Sequence, residues 1–217
     1  MAVDTDGNAD FRQTGHPMKR TVLLILAFGL SVVALAAQTE SQAERANEAF
    51  KQGYAAFRSG DSDLAVRYYT EAIRLDLKHA EAYYNRGIAY GTKGDIDKAI
   101  ADWTEAIRLN PKYAQAYCNR GVGYQAKGEL DKAITDWTEA IRLDPKYVAA
   151  YNKRGIAYEK TGDVEKAIAD YTEVIRLEPR DANGYWCRGV AYQRKGESDK
   201  AAGDFAEAKK LGFSPPQ

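Results

Sequence analysis

The chain has 217 residues, of which 29% are charged and 45% are hydrophobic, which is an ordinary composition for a soluble globular protein. Lys and Arg together number 31, as do Asp and Glu, so the net charge is zero. This balance argues against nucleic acid as the main partner and against a polybasic membrane-surface role, because both need an excess of Lys and Arg.

The N-terminal region has the order basic, apolar, small that is typical of a secretory signal peptide. Residues 18–37 contain Lys19 and Arg20, then an uncharged run that ends in small residues, where Ala34-Leu35-Ala36 fits an A-x-A cleavage site. The pattern predicts export to the periplasm or another extracytoplasmic space. The uncharged run has 17 residues, which is the short limit for a spanning helix, so an uncleaved anchor in the inner membrane is the alternative.

Residues 1–17 are polar, and we interpret them as a disordered extension. Met18 would give a more compact signal peptide than Met1, and the sequence leaves the choice of start open. Residues 38–45 are interpreted as a linker to the region that follows.

Beyond the linker, residues recur at a spacing of 34. Five columns show it, and one of them is Gly53, Gly87, Gly121, Gly155 and Gly189. Two adjacent units, residues 80–113 and 114–147, are identical at 24 of 34 positions. Such a period is the signature of a repeat architecture. The predicted units are residues 46–79, 80–113, 114–147, 148–181 and 182–213, followed by a tail at 214–217.

Each unit reads as two helices joined by a turn, and the unit at 80–113 shows why. Gly94 follows the first helix, where glycine supplies the left-handed conformation that ends a helix. Asp95 is predicted to cap the second helix with its side chain, and Pro111 is predicted to stop that helix. The first unit has Leu77 at the proline position, so its boundary is predicted to be less sharp.

The second helices have an apolar face and a charged face. Gly87 and Ala99 allow the two helices of a unit to approach closely, so the aromatic column beside them is predicted to be core: Tyr69, Trp103, Trp137, Tyr171 and Phe205. On the other face, helical spacing predicts solvent-exposed pairs of Lys98 with Asp102 and Glu105 with Arg108. The next unit repeats this pattern with Lys132, Asp136, Glu139 and Arg142.

These columns resemble the tetratricopeptide repeat (TPR) family, here with an export signal as in an exported bacterial member. The resemblance implies an all-α fold: a right-handed α-solenoid of five tandem 34-residue helix–turn–helix repeats, preceded by the signal peptide or anchor. The last unit departs most from the pattern, with Lys209, Gly212 and Phe213 in place of apolar and proline positions. No capping helix follows it in the sequence, although terminal repeats usually need one.

The resemblance also implies that the first helices line a concave groove. Three rows of side chains then face the groove: Phe50, Tyr84, Cys118, Asn152 and Trp186; Tyr54, Ile88, Val122, Ile156 and Val190; Phe57, Gly91, Gln125, Glu159 and Gln193. Packing between neighbouring repeats is the alternative role for the rings. The candidate binding residues are Phe50, Tyr54, Tyr84, Asn85, Cys118, Asn119, Asn152, Lys153 and Trp186.

Some family members clamp the carboxylate at the C-terminus of a peptide. This chain keeps Asn85, Asn119 and Lys153 of that set, but Tyr84, Ile88 and Ala149 replace other members, so the clamp is incomplete.

The sequence offers no catalytic set, cofactor motif or metal site. Its only histidines are His16 and His79, and its only cysteines are Cys118 and Cys187. The cysteines lie about two repeats apart, too far for a disulfide, so both thiols are predicted to be free. We therefore expect a non-enzymatic scaffold that binds a protein or peptide in its groove. The alternative is a structural array that self-assembles into a homo-oligomer through its uncapped C-terminal repeat.

Overall fold

The computed structural model describes residues 41–214, which form ten helices joined by turns. The predicted N-terminal extension and signal, residues 1–37, lie outside the described residues. The chain forms two units, Met1–Glu44 and Arg45–Gln217. Of the first unit, the described residues 41–44 are helical. The helices are α1 (residues 41–58), α2 (Ser62–Leu75), α3 (Ala80–Thr92), α4 (Ile96–Leu109), α5 (Ala114–Ala126), α6 (Leu130–Leu143), α7 (Val148–Thr161), α8 (Val164–Leu177), α9 (Ala182–Lys195) and α10 (Ser198–Lys210).

The helices of the second unit pack in chain order. From α2 to α10, each pair of consecutive helices is in contact, and the first helices α3 and α5 also meet directly. Each repeat therefore buries its apolar face against its own partner helix and against the adjacent repeat, as in a solenoid. The predicted all-α solenoid is confirmed, and residues 41–214 contain no strand.

The turn inside each repeat uses a glycine in the left-handed region. The backbone φ of Gly94 is +83°, and the equivalent glycines of the other repeats match it: Gly60, Gly128, Gly162 and Gly196. A side chain is strained in this conformation, which explains the glycine column.

The predicted side-chain cap of Asp95 is wrong. Asp95 occupies the N-cap position, but its carboxylate makes no capping hydrogen bond and pairs with Lys98 at 2.9 Å. In the first repeat, Leu64 stands where the later repeats have lysine, and Asp61 there does accept a hydrogen bond from the Leu64 N–H at 2.9 Å. The lysine three residues into the helix therefore diverts the carboxylate from the backbone.

The end of α2 is as sharp as the ends of the other second helices, contrary to the prediction made from Leu77. Helix α2 stops at Leu75, the position at which α4, α6 and α8 stop in their repeats. The Asp76 side chain accepts a hydrogen bond from the Lys78 N–H at 2.9 Å, and Asn110 and Asp144 do the same in later repeats. This local turn ends the helix without a proline.

The aromatic column of the second helices is core, as predicted. Trp137, Tyr69 and Tyr171 are fully buried, Trp103 is buried, and Phe205 at the end of the array is half-buried. A Cβ atom added to Gly87 would lie 2.6 Å from Trp103 Nε1, so the ring packs directly on the glycine backbone. The close approach of the two helices thus depends on the glycine.

The predicted exposed pairs Lys98–Asp102 and Lys132–Asp136 are wrong. Asp102 and Asp136 are buried, and each accepts two hydrogen bonds from an arginine of the preceding first helix, Arg86 and Arg120. Asp170 and Asp204 make the same pair with Arg154 and Arg188. A buried carboxylate needs a charged partner, and the arginine is better placed than the solvated lysine. The predicted pairs Glu105–Arg108 and Glu139–Arg142 are confirmed on the exposed face.

Candidate functional site

Five uncharged side chains at one position of the first helices remain at least partly accessible to solvent. This row, which we call the groove stripe, consists of Tyr54, Ile88, Val122, Ile156 and Val190. Tyr54 is 49% exposed and Ile156 is 38% exposed, and the other three are half-buried. The two exposed members, Tyr54 and Ile156, lie on first helices, whereas apolar residues of the second helices are buried or, like Ile100 and Leu109, half-buried. A continuous row of accessible apolar side chains is typical of an interaction surface.

The rings of the neighbouring row are engaged in packing. Phe50 lies 5.7 Å from Tyr69 and 4.9 Å from His79 between ring centroids. Tyr84 lies 4.7 Å from Tyr113. The structure thus favours packing over ligand contact for Phe50 and Tyr84, the alternative that the sequence left open.

Trp186 closes the end of the array. Its ring lies 4.9 Å from Phe205 and stacks on Phe213 at 4.7 Å. Gly212 adopts a φ of +92°, and the Phe213 N–H donates to the Ala208 carbonyl at 2.9 Å, which ends α10. These rings line an open pocket of about 490 Å³ beside Lys209.

Cys118 does not line the groove as predicted. It is 1% exposed and lies in the cluster formed by Trp137, Ala133 and Ala150, with Tyr147 packed over it. A thiol is small enough to be covered by the ring of Tyr147, which occupies the N-cap position of α7. Burial raises the pKa of the Cys118 thiol, which is the opposite of activation.

Two of the four candidate polar residues, Asn85 and Asn119, donate hydrogen bonds within the protein. The Asn85 side-chain amide donates to the Glu81 carbonyl at 2.8 Å, and the Asn119 amide donates to the Tyr84 hydroxyl at 3.1 Å. Lys153 is half-buried and close enough to Cys118 to affect its pKa. Asn152 is also half-buried, and its Oδ1 is shielded from solvent without a hydrogen-bond donor among the described residues.

The third row of predicted groove residues varies most in side-chain size and chemistry: Phe57, Gly91, Gln125, Glu159 and Gln193. Gly91 has no side chain, and a cavity of about 220 Å³ opens next to it between α3 and α5. Two repeats further along the chain, burial raises the pKa of Glu159, whose carboxyl lies near Arg194 and Tyr171. The second and fourth repeats therefore differ at this position, one without a side chain and one with a carboxyl group.

Sequence reasoning missed the arginine column. Each of Arg86, Arg120, Arg154 and Arg188 lies between two tyrosines of its own helix, with ring centroids 5.5–5.9 Å from the guanidinium carbon. Eight of the 15 tyrosines are explained in this way. The sequence does contain a signal for this pairing. The arginines recur every 34 residues, the aspartates do the same, and each aspartate lies 16 residues after its arginine.

Within residues 41–214, no cluster of three or more His, Cys, Asp or Glu side chains is arranged to hold a metal ion. None of the helices described there has the length and apolar character needed to cross a bilayer. The site is thus defined by its apolar surface rather than by a reactive group.

Comparison with known families agrees with this geometry. A model described as TPR repeat matches residues 123–162 and 160–196, and models described as tetratricopeptide repeat match residues 80–113 and 44–79. The chain belongs to the tetratricopeptide repeat family. The members of this family are in general non-enzymatic protein-interaction scaffolds.

Several solved structures resemble this TPR protein. A crystal structure of MamA is 30% identical, with a TM-score of 0.70, and the match covers 73% of this chain and 93% of that one. MamA from Desulfovibrio magneticus RS-1 is 23% identical, with a TM-score of 0.71, over 77% of this chain and 94% of that one. YrrB, a TPR protein with an unusual peptide-binding site, is 21% identical, with a TM-score of 0.68, over 82% and 92%. No curated protein gives a significant match.

Proposed function

We propose that this TPR protein binds a segment of a protein partner along the groove stripe. The observation that carries the proposal is that all five stripe residues remain accessible while the aromatic core of the second helices is buried. Uncovered apolar side chains gain free energy when a partner removes them from water. The absence of charge from the stripe suits an apolar face of the partner segment.

Substitutions in the groove stripe test this proposal. Tyr84 and Trp186 are less suitable, because their rings pack against other rings of the protein. We expect Tyr54→Ala and Ile156→Ala to weaken partner capture, since both side chains are among the most exposed apolar groups of the array. Both variants should unfold at nearly the same temperature as the wild type. Glu105→Ala and Glu139→Ala, on the opposite exposed face, serve as matched controls.

The experiment is affinity capture from the cell-envelope fraction with the wild type and the four variants, followed by mass spectrometry. A protein retained by the wild type and by both glutamate variants, but lost with both stripe variants, supports the groove. A partner lost only with the glutamate variants overturns the proposal.

We further propose that the protein acts outside the cytoplasm, on the basis of the signal pattern at residues 18–37. N-terminal sequencing of the mature protein should begin at Ala37 or Gln38, after the Ala34-Leu35-Ala36 site. Recovery in the membrane with residues 21–37 intact supports the anchored form. Retention of the entire chain in the cytoplasm contradicts export.

The alternative function, self-assembly through the last repeat, has less support. In earlier repeats, the second helix presents an isoleucine and a threonine to the next repeat, for example Ile107 against Ala116 and Thr104 to Arg120. Helix α10 has Lys209 and Ala206 in these positions. A stacked copy would therefore lose both contacts. Light scattering across a range of protein concentrations tests this alternative, and a mass that rises with concentration without a partner favours it.

A further inference from the structure

The groove contains a pocket of about 220 Å³ between α3 and α5. Eight residues line it, among them Ile88, Gly91, Val122 and the ring of Trp103, and Asn119 is the one polar side chain. None of the eight is charged. Ile88 and Val122 belong to the groove stripe, so the pocket opens on the surface that we propose for partner binding.

Gly91 creates the pocket, and packing does not require a glycine there. A Cβ atom added to Gly91 would meet nothing closer than 3.5 Å, at the edge of the Trp103 ring. At the other glycines of the first helices, an added Cβ would lie within 3.0 Å of a neighbour. The equivalent residues of the other repeats all have side chains: Phe57, Gln125, Glu159 and Gln193. Glycine in a helix lowers stability, so Gly91 leaves space at a cost to the fold.

We propose that this pocket receives one uncharged apolar side chain, of phenylalanine or leucine size, from the bound partner segment. The proposal rests on the groove function above and names the residue type that the groove selects. An apolar cavity of about 150 Å³ holds a benzene ring, so the volume suits such a side chain. A lysine or glutamate would lose its hydration without a countercharge in the lining.

Asn119 supplies the polar contact that orients the partner. Its Nδ2 donates to the Tyr84 hydroxyl at 3.1 Å, and within the described residues its Oδ1 accepts no hydrogen bond. Asn119 lines the pocket, so in the proposed complex this oxygen accepts from a backbone N–H next to the inserted side chain. The pocket thus matches an amino-acid residue within a chain rather than a free hydrocarbon.

The test uses N-acetyl-phenylalanine amide as the probe and NMR of the full-length protein as the readout. We expect saturable shifts of the Trp103 indole N–H and of the Ile88 and Val122 methyl groups, with a millimolar Kd because the probe has few atoms. N-acetyl-lysine amide should cause no saturable shift of these signals. Equal shifts with both amides, or shifts confined to other residues, would overturn the proposal.

Gly91→Gln fills the pocket with the side chain that the next repeat has at this position. It should raise the Kd for the phenylalanine amide at least about tenfold while the melting temperature stays equal or rises. Thr92→Gln places the same side chain on the adjacent exposed position and should leave the Kd within about twofold. Unchanged binding by Gly91→Gln would show that the pocket is not the site.

The same variant separates the pocket from the groove once a partner has been captured. Loss of the partner with both Ile156→Ala and Gly91→Gln supports both proposals. Loss with Ile156→Ala alone refutes the pocket and leaves the groove in place. Retention of the partner by both variants refutes both.

Discussion

Arg120 of α5 donates two parallel hydrogen bonds to Asp136 of α6, each 2.8 Å long. Its remaining terminal nitrogen donates to the Thr104 hydroxyl of the preceding repeat at 3.2 Å. One guanidinium therefore joins the two helices of a repeat and links that repeat to its neighbour. The arrangement recurs at Arg86, Arg154 and Arg188.

Removal of the Asp136 carboxylate should strongly destabilise the protein. Asp136→Ala leaves the Arg120 guanidinium, whose side chain is only 17% exposed, without its countercharge, and we expect a loss of about 3–5 kcal/mol in the free energy of unfolding. Thr104→Val removes the link to the preceding repeat and the hydrogen bond that the Thr104 hydroxyl donates to the Ile100 carbonyl at 2.8 Å, and should cost about 0.5–1.5 kcal/mol. Urea unfolding measures both. Glu139→Ala, in an exposed pair, is the control and should change little; an equally small effect of Asp136→Ala would contradict the structural role of the buried pair.

Trp137→Ala should cost about 3–5 kcal/mol, because it empties a fully buried site in the middle repeat. Unfolding could then separate into two transitions, since repeats stabilise mainly their neighbours. Gly121→Ala should also destabilise the wild type, because the new methyl group would lie 2.7 Å from Trp137 Nε1. Thermal and urea unfolding of both single variants and of the double variant Trp137→Ala/Gly121→Ala measure the coupling energy between the two sites. With the Trp137 ring absent, Gly121→Ala should destabilise the protein much less. Additive losses would show that the ring does not press on the glycine.

Leu77→Pro should stabilise the protein by about 0.4–1 kcal/mol, through restriction of the unfolded chain. Leu77 is 68% exposed, and the equivalent residues Pro111, Pro145 and Pro179 are already prolines. Asp76 before it has φ −137° and ψ 100°, which is an extended conformation that a following proline accepts. The urea midpoint should rise. A lower midpoint would indicate that this turn differs from the later ones.

Cys118 and Cys187 should be free thiols that react slowly in the native protein. Both are free in the structure, and burial raises the pKa of Cys187 to about 11 and also raises that of Cys118. At pH 8, the reactive thiolate is therefore scarcer than in an unfolded chain, whose thiols have pKa values of about 8.5. Alkylation by iodoacetamide should be slow before denaturation and should modify two thiols quickly after it. An intrachain disulfide in a non-reducing peptide map would contradict the solenoid geometry.

The sequence by itself determined the architecture of residues 46–213. A 34-residue period in glycine, alanine, leucine and aromatic columns specifies helix pairs that bury their apolar faces only against neighbouring helix pairs. The pattern within one repeat therefore specifies the fold of the entire array. The turn glycines such as Gly94 and the core position of Trp137 follow from the same logic. These features depend on residue type and spacing, and both can be read from the chain.

The tertiary structure alone decided which side chains remain accessible. The groove rows have the same helical spacing, yet Tyr54 and Ile156 are exposed while Cys118 is covered, because coverage depends on which rings, such as that of Tyr147, pack across the first helices. Asp136 shows the same limit: a lysine four residues away and an arginine 16 residues away both suit it, and only the packing of α5 on α6 selects the arginine. The pocket beside Gly91 likewise exists because two neighbouring helices leave a space that neither sequence segment specifies alone.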